Sequence, residues 1–198
     1  MAGFQRIPVR PGAEPYEAVA YCDNQGWTLL AKRTEEQFLH YIFDSGGGQV
    51  HVMWDHAVKK YFFTLIGENA AEIAEDIYAL SETSFHPLEV CTEEEALTLA
   101  MNLSDPADIY YACLIANDLY DERVLQCYER AFSSPDPEVR FFACASCGSF
   151  VDWEKEIRPL LNRVRERDSD ASVRQIAEQT LTALDAHDCN RGERLLSN

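Results

Sequence analysis

Two short constellations in this chain bring together residue types that do chemistry. Cys144-Ala145-Ser146-Cys147 has the spacing of half a metal site or of a redox pair, and His51 and His56 bracket Trp54 and Asp55, two imidazoles beside a carboxylate. A structural zinc ion takes four nitrogen or sulfur donors, so a CxxC pair calls for two further ligands, and none stands near this one. A thioredoxin-type pair would close a strand and open a helix, whereas Cys144 and Cys147 fall well inside a helix-like segment and read as core thiols. The separation of His51 and His56 sends them to opposite faces of a strand, with no third ligand or general base marked. Gly46-Gly47-Gly48 lacks the Gly-Lys-Ser/Thr ending of a phosphate loop and leads into a strand, so it offers no helix N–H groups to phosphate. It reads as a hairpin turn. No nucleophile-elbow pattern accompanies the serines. The expectation is a chain that is not an enzyme, with no catalytic residues, no metal and no cofactor.

The elements that must hold these residues divide the chain in two. In the first part, residues 18–22 and 26–32 read as strands around the turn signal Asn24-Gln25-Gly26, and residues 49–54 and 60–66 are rich in the Val, Phe, Tyr and Trp of strands. Between the two pairs, Thr34 with Gln37 makes a capping pattern, and Phe38, Tyr41 and Ile42 recur at helical spacing, so a short helix is expected there. Asn69 with Glu72 then opens a helix whose apolar stripe is Ala70, Ile73, Ala74, Ile77 and Leu80. From Thr92 onward every segment reads as helix. The expected class is α+β: a small α+β domain over residues 1–91, an all-α array over 92–187, and a tail over 188–198.

The array repeats itself. Asp105-Pro106-Ala107-Asp108-Ile109-Tyr110-Tyr111-Ala112-Cys113 aligns with Asp136-Pro137-Glu138-Val139-Arg140-Phe141-Phe142-Ala143-Cys144 at an offset of 31 residues, and Asp170-Ala171-Ser172-Val173-Arg174-Gln175-Ile176-Ala177 follows 34 residues later. Each copy starts with an aspartate suited to an N-cap, twice followed by proline where its missing N–H costs nothing. Cys113 and Cys144 hold the same place in two copies. The Asp136-Pro137-Glu138-Val139-Arg140 run with Ala143, and Val173-Arg174 with Ala177, resemble the first-helix signature of HEAT repeats over about residues 105–187. The first copy departs from it, with Ile109-Tyr110 where the others have Val-Arg. The resemblance implies a right-handed stack of helix pairs that presents a protein-binding face. Physically, each pair relies on its neighbours to bury its apolar stripe.

Charge is distributed unevenly. The chain has 34 acidic residues against 17 basic, a formal net charge of −17. Residues 68–138 hold seventeen acidic side chains and two basic ones, Arg123 and Arg130, while the segments on either side are each close to balance. First-turn carboxylates favour the helix dipole by about 0.3–1 kcal/mol each, which accounts for some of them. The remainder repel one another within a Debye length of about 8 Å, a cost that interspersed lysines would relieve, and this segment has no lysine.

Such a surface disfavours a nucleic acid backbone, whose affinity comes from Lys and Arg displacing counterions, and favours a basic protein. The expected partner-binding residues are Glu93, Glu94, Glu95, Asp108, Asp118, Tyr120, Asp121, Glu122, Tyr128 and Glu129, carboxylates to steer and tyrosines to anchor. An acidic chain of this size resembles, in general character, bacterial immunity proteins, which neutralise toxin enzymes by blocking a basic active-site cleft. Residues 1–17 have no apolar signal run, no stretch approaches the roughly 20 residues of a membrane span, and seven scattered cysteines suit reduced thiols. A cytoplasmic protein is expected. The rival readings are a lyase on a HEAT-like scaffold that handles a tetrapyrrole with the aromatics at 110, 111, 141 and 142 and a cysteine, a hydrolase using His51, Asp55 and His56, and a structural subunit of a larger assembly.

Overall fold

The computed structural model describes residues 3–34, 38–56, 58–81, 88–116, 121–149 and 153–196, with side chains to residue 186 except that of Glu154. The chain has two compact units, Met1–Ala96 and Leu97–Asn198. Its class is α+β.

The first unit is an antiparallel sheet with two helices on one face. Its strands are β1 (Gly3–Pro8), β2 (Thr28–Thr34), β3 (Phe38–Asp44), β4 (Gly48–Asp55) and β5 (Lys60–Gly67), in spatial order β1-β5-β4-β3-β2. Alternate residues of the inner strands, Phe43, Val50, Val52, Tyr61, Phe63 and Leu65, point to one face. There they meet Ala18, Tyr21 and Cys22 of α1 (Pro15–Asn24) and Ala70, Ile73, Ala74 and Ile77 of α2 (Ala70–Ser81). Each fully buried large side chain contributes about 1.5–3 kcal/mol. Gly46, at φ +82, lets the chain reverse between β3 and β4, the hairpin turn expected of the glycine run.

Three local expectations are corrected in this unit. Residues 18–22 lie in α1, not in a strand. Pro15 occupies its first turn, Glu14 and Glu17 cap it reciprocally, and Ala18, Tyr21 and Cys22 form the i, i+3, i+4 stripe it buries. Of the helix expected from Thr34 through Ile42, Thr34 ends β2 and residues 38–42 lie in strand β3, because β2 and β4 supply ladders on both its edges. Gln37, half of the expected capping pair, lies outside the described residues. Strand β1 had no place in the sequence reading. It is the edge strand whose Ile7 enters the core opposite Phe63.

The helices at and beyond the unit boundary are α3 (Glu93–Asn102), α4 (Ile109–Ile115), α5 (Glu122–Phe132), α6 (Pro137–Ser146), α7 (Glu154–Arg167) and α8 (Ala171–Leu196). Asp105, Asp121, Asp136 and Asp170 each accept the N–H two residues ahead, at 2.8–2.9 Å. Such caps stabilise by about 1 kcal/mol each. Within the second unit α4 packs on α6 and α6 on α8, while α5 packs on α7. Two of the aligned copies also share a device. Arg140 donates to the carbonyls of Ser134 and Pro135, and Arg174, 34 positions on, donates to those of Asp168 and Ser169. Residues 188–196, expected as a tail, continue α8 without a break. Among the described residues no helix is long and apolar enough to cross a membrane.

Candidate functional site

Many of the middle carboxylates are taken up by the fold. Glu95 accepts the Thr92 N–H at 2.9 Å, closing a capping box on α3, and binds Arg10 at 2.7 Å. The Thr92 hydrogen bond, with Arg10 behind it, holds the Glu95 carboxyl below its ordinary range. Asp121 caps α5 and receives the Arg123 guanidinium at 2.7 Å, which likewise lowers its carboxyl.

Asp108 is withdrawn from the binding set. It returns the Asp105 cap by accepting the Asp105 N–H at 2.9 Å, and it is 4% exposed, so a partner cannot reach it. Tyr128 is withdrawn as an anchor for the same reason. Its ring is fully buried, and its hydroxyl lies 2.7 Å from Ser146 Oγ. Burial pushes that phenol well above its ordinary value. Tyr128→Phe is expected to cost about 1 kcal/mol, the net worth of one hydrogen bond, because Ser146 keeps its bond to the Ala143 carbonyl. Chemical denaturation checks this. Asp118 and Tyr120 lie outside the described residues.

Glu93, Glu94, Glu122 and Glu129 remain exposed. Glu122 and Glu129 are two turns apart and share the outer face of α5, whose inner face buries Val124, Cys127, Tyr128 and Ala131. Beside Glu129 a groove of about 460 Å³ opens between α5 and α7, floored by Phe132, Leu160 and Val164 and edged by Arg163 and Arg167. The α7 side of this site was not anticipated. Its arginines sit in a helix whose net charge is small, and only the pairing of α5 with α7 brings them to Glu129.

The groups weighed for chemistry are disarmed or elsewhere. Cys144 and Cys147 are fully buried among apolar neighbours, which pushes the Cys144 thiol up to about 12 and Cys147 well above its ordinary range. They are core thiols. Among the described residues no three histidines, cysteines or carboxylates gather as for a metal.

His51 and His56 are not neighbours in function. His56 lies past the end of β4 and its Nδ1 accepts the Trp54 indole N–H at 3.0 Å, while His51 Nδ1 is 3.0 Å from His40 Nε2 on β3. His40 is not marked in the sequence because its segment carries helical spacing at Phe38, Tyr41 and Ile42. The signal that would have revealed it is the period-two run Leu39, Tyr41, Phe43 against Phe38, His40, Ile42. Burial, then the facing charges of His40 and Arg33, lower the His51 pKa from 6.5. The unfolded chain therefore binds the proton more readily, and stability is lost as pH falls below about 6.5. Denaturation at pH 7 and pH 5 is expected to show this loss, and H51Q is expected to shrink it.

No family model, no curated protein and no solved structure matches the chain.

Proposed function

We propose that this protein is a non-catalytic binding module whose second unit, a short array of the HEAT kind, docks a basic protein through the outer face of α5 and the adjoining groove. The observation that carries the reading is the surplus left after internal pairing: Glu122 and Glu129 stay exposed on one face of α5, beside an apolar floor. Exposed carboxylates steer a basic partner, and an apolar floor gives its side chains something to bury. Arg163 and Arg167 on the opposite rim reject a uniformly basic surface and so fix the register of the match. The matching contacts of Arg140 and Arg174 support the repeat array. An immunity role, with a toxin enzyme's basic cleft as the docked surface, is the partner class this charge pattern fits best.

The test is capture from the native host with the wild-type chain and with E122K/E129K. Both side chains are exposed, so the variant is expected to fold. A basic protein retained by the wild type and weakened about tenfold or more in the variant supports the reading. Equal retention by both chains overturns it.

A further inference from the structure

The face of the sheet turned away from α1 and α2 carries a small site in a unit that is otherwise acidic. Register places Arg33 of β2 opposite His40 of β3, and His40 opposite Met53 of β4. With Phe38 these three side chains line a cavity of about 160 Å³, room for a group of several heavy atoms and not merely one water. His51 joins through its 3.0 Å contact with His40, and Gln49 Oε1 accepts from its Nε2 on the far side at 3.1 Å.

Arg33 supplies the positive charge. Arg10, Arg123, Arg140, Arg158 and Arg165 have carboxylate partners, while Arg6 lies over the Phe4 ring and Arg174 donates to backbone carbonyls. Arg33 has no carboxylate partner among the described residues. The strand positions around it on this face are Ala31, Ile42, His40, Phe38 and Met53, and the carboxylates nearest in register, Asp44 and Asp55, stand at the ends of their strands.

We propose that this cavity is a binding site for a single phosphate or carboxylate group carried on an apolar body, gripped by the Arg33 guanidinium beside His40 and walled by Phe38 and Met53. A guanidinium fork matches two oxygens of either anion, and the ring and thioether give an apolar stem a surface to cover. Burial is the main cause of the lowered His51 pKa, and the facing charges of His40 and Arg33 add to it; an anion in the cavity would offset that second, smaller part. A metal ion fits poorly, because the facing imidazole nitrogens already occupy each other and a guanidinium stands alongside. A polyanion is disfavoured by the net charge of −17.

The experiment is a titration of the full chain with inorganic phosphate, phenyl phosphate and benzoate, read by NMR at the ring protons of His40 and His51. Saturable shifts are expected, with phenyl phosphate or benzoate binding several-fold tighter than inorganic phosphate, and the two organic anions separate the phosphate from the carboxylate source. R33Q, an exposed substitution, is expected to weaken binding about tenfold, with unchanged spectral dispersion showing that the chain is folded. F38A is expected to remove the preference for the organic anions and leave inorganic phosphate unaffected. The proposal is overturned if none of the three saturates by about 20 mM, well past an affinity of about 1 mM. Equal binding by R33Q overturns it too.

Discussion

Replacing Asp168 with alanine is expected to lower the stability of the helical unit by about 3–5 kcal/mol, the range for stranding one partner of a buried ion pair. Arg140 reaches Asp168 with two parallel bonds, Nε to Oδ2 at 2.7 Å and an Nη to Oδ1 at 2.9 Å, and the two side chains are only 11% and 6% exposed. D168A leaves the guanidinium without its bidentate partner, with only the more distant charges of Asp170 and Asp136, and it also frees the Asp170 N–H that Asp168 accepts at 2.9 Å. The ion pair's attraction is offset by the cost of burying both charges, so removing both charges together should hurt less than removing one. R140M/D168L is accordingly expected to recover most of the loss, stopping about 1 kcal/mol short because the Asp170 N–H has lost its acceptor. Urea denaturation of the three chains measures both differences. The pair also has a pH signature. The Arg140 hydrogen bonds hold the Asp168 carboxyl below its ordinary range, so its contribution is complete above about pH 4 and is lost as pH falls further.

Gly67→Ala is expected to be as damaging in the first unit, at about 3 kcal/mol or more. Gly67 holds φ at +135 at the end of β5, paired with Gly48 on one side and Gly3 on the other. A methyl group there would land on the Gly48 Cα and the Gly47 carbonyl, which are backbone and cannot swing aside. Strain of about 1–3 kcal/mol for the dihedral adds to overpacking of about 1–3 kcal/mol. G46A separates the two causes. Gly46 also has positive φ, at +82, but a methyl there meets open space, so its loss is expected to stay near 1 kcal/mol. Fluorescence of Trp27 and Trp54, both in this unit, follows the unfolding.

The parts of the fold that were legible are those whose local signals agree with their packing. Strands β4 and β5 and helix α2 show their periods openly, and Thr92 with Glu95 marks the start of α3 by the hydrogen bonds it makes. Strand β3 is not legible, because Tyr41 and Phe43 feed the core, with the apolar Leu39 on the same face, while Phe38 and Ile42 are apolar on the other. Apolar residues on both faces hide a period of two, and any three of them mimic helical spacing. That one misreading concealed His40, and with it the only close pair of histidines among the described residues. Tyr128 and Asp108 are hidden for a different reason. Their helical segments are legible, but whether a side chain faces a neighbouring helix or water depends on which helices pack together, and repeat spacing leaves that open.

The measurement that bears most directly on the central claim is the affinity of the captured complex as a function of salt, from about 50 to 500 mM. If exposed carboxylates on α5 draw a basic partner, the association constant falls steadily as salt rises, chiefly through a slower association rate, and the slope flattens in E122K/E129K. An affinity that holds constant across that range, or a slope unchanged by the reversal, would contradict it.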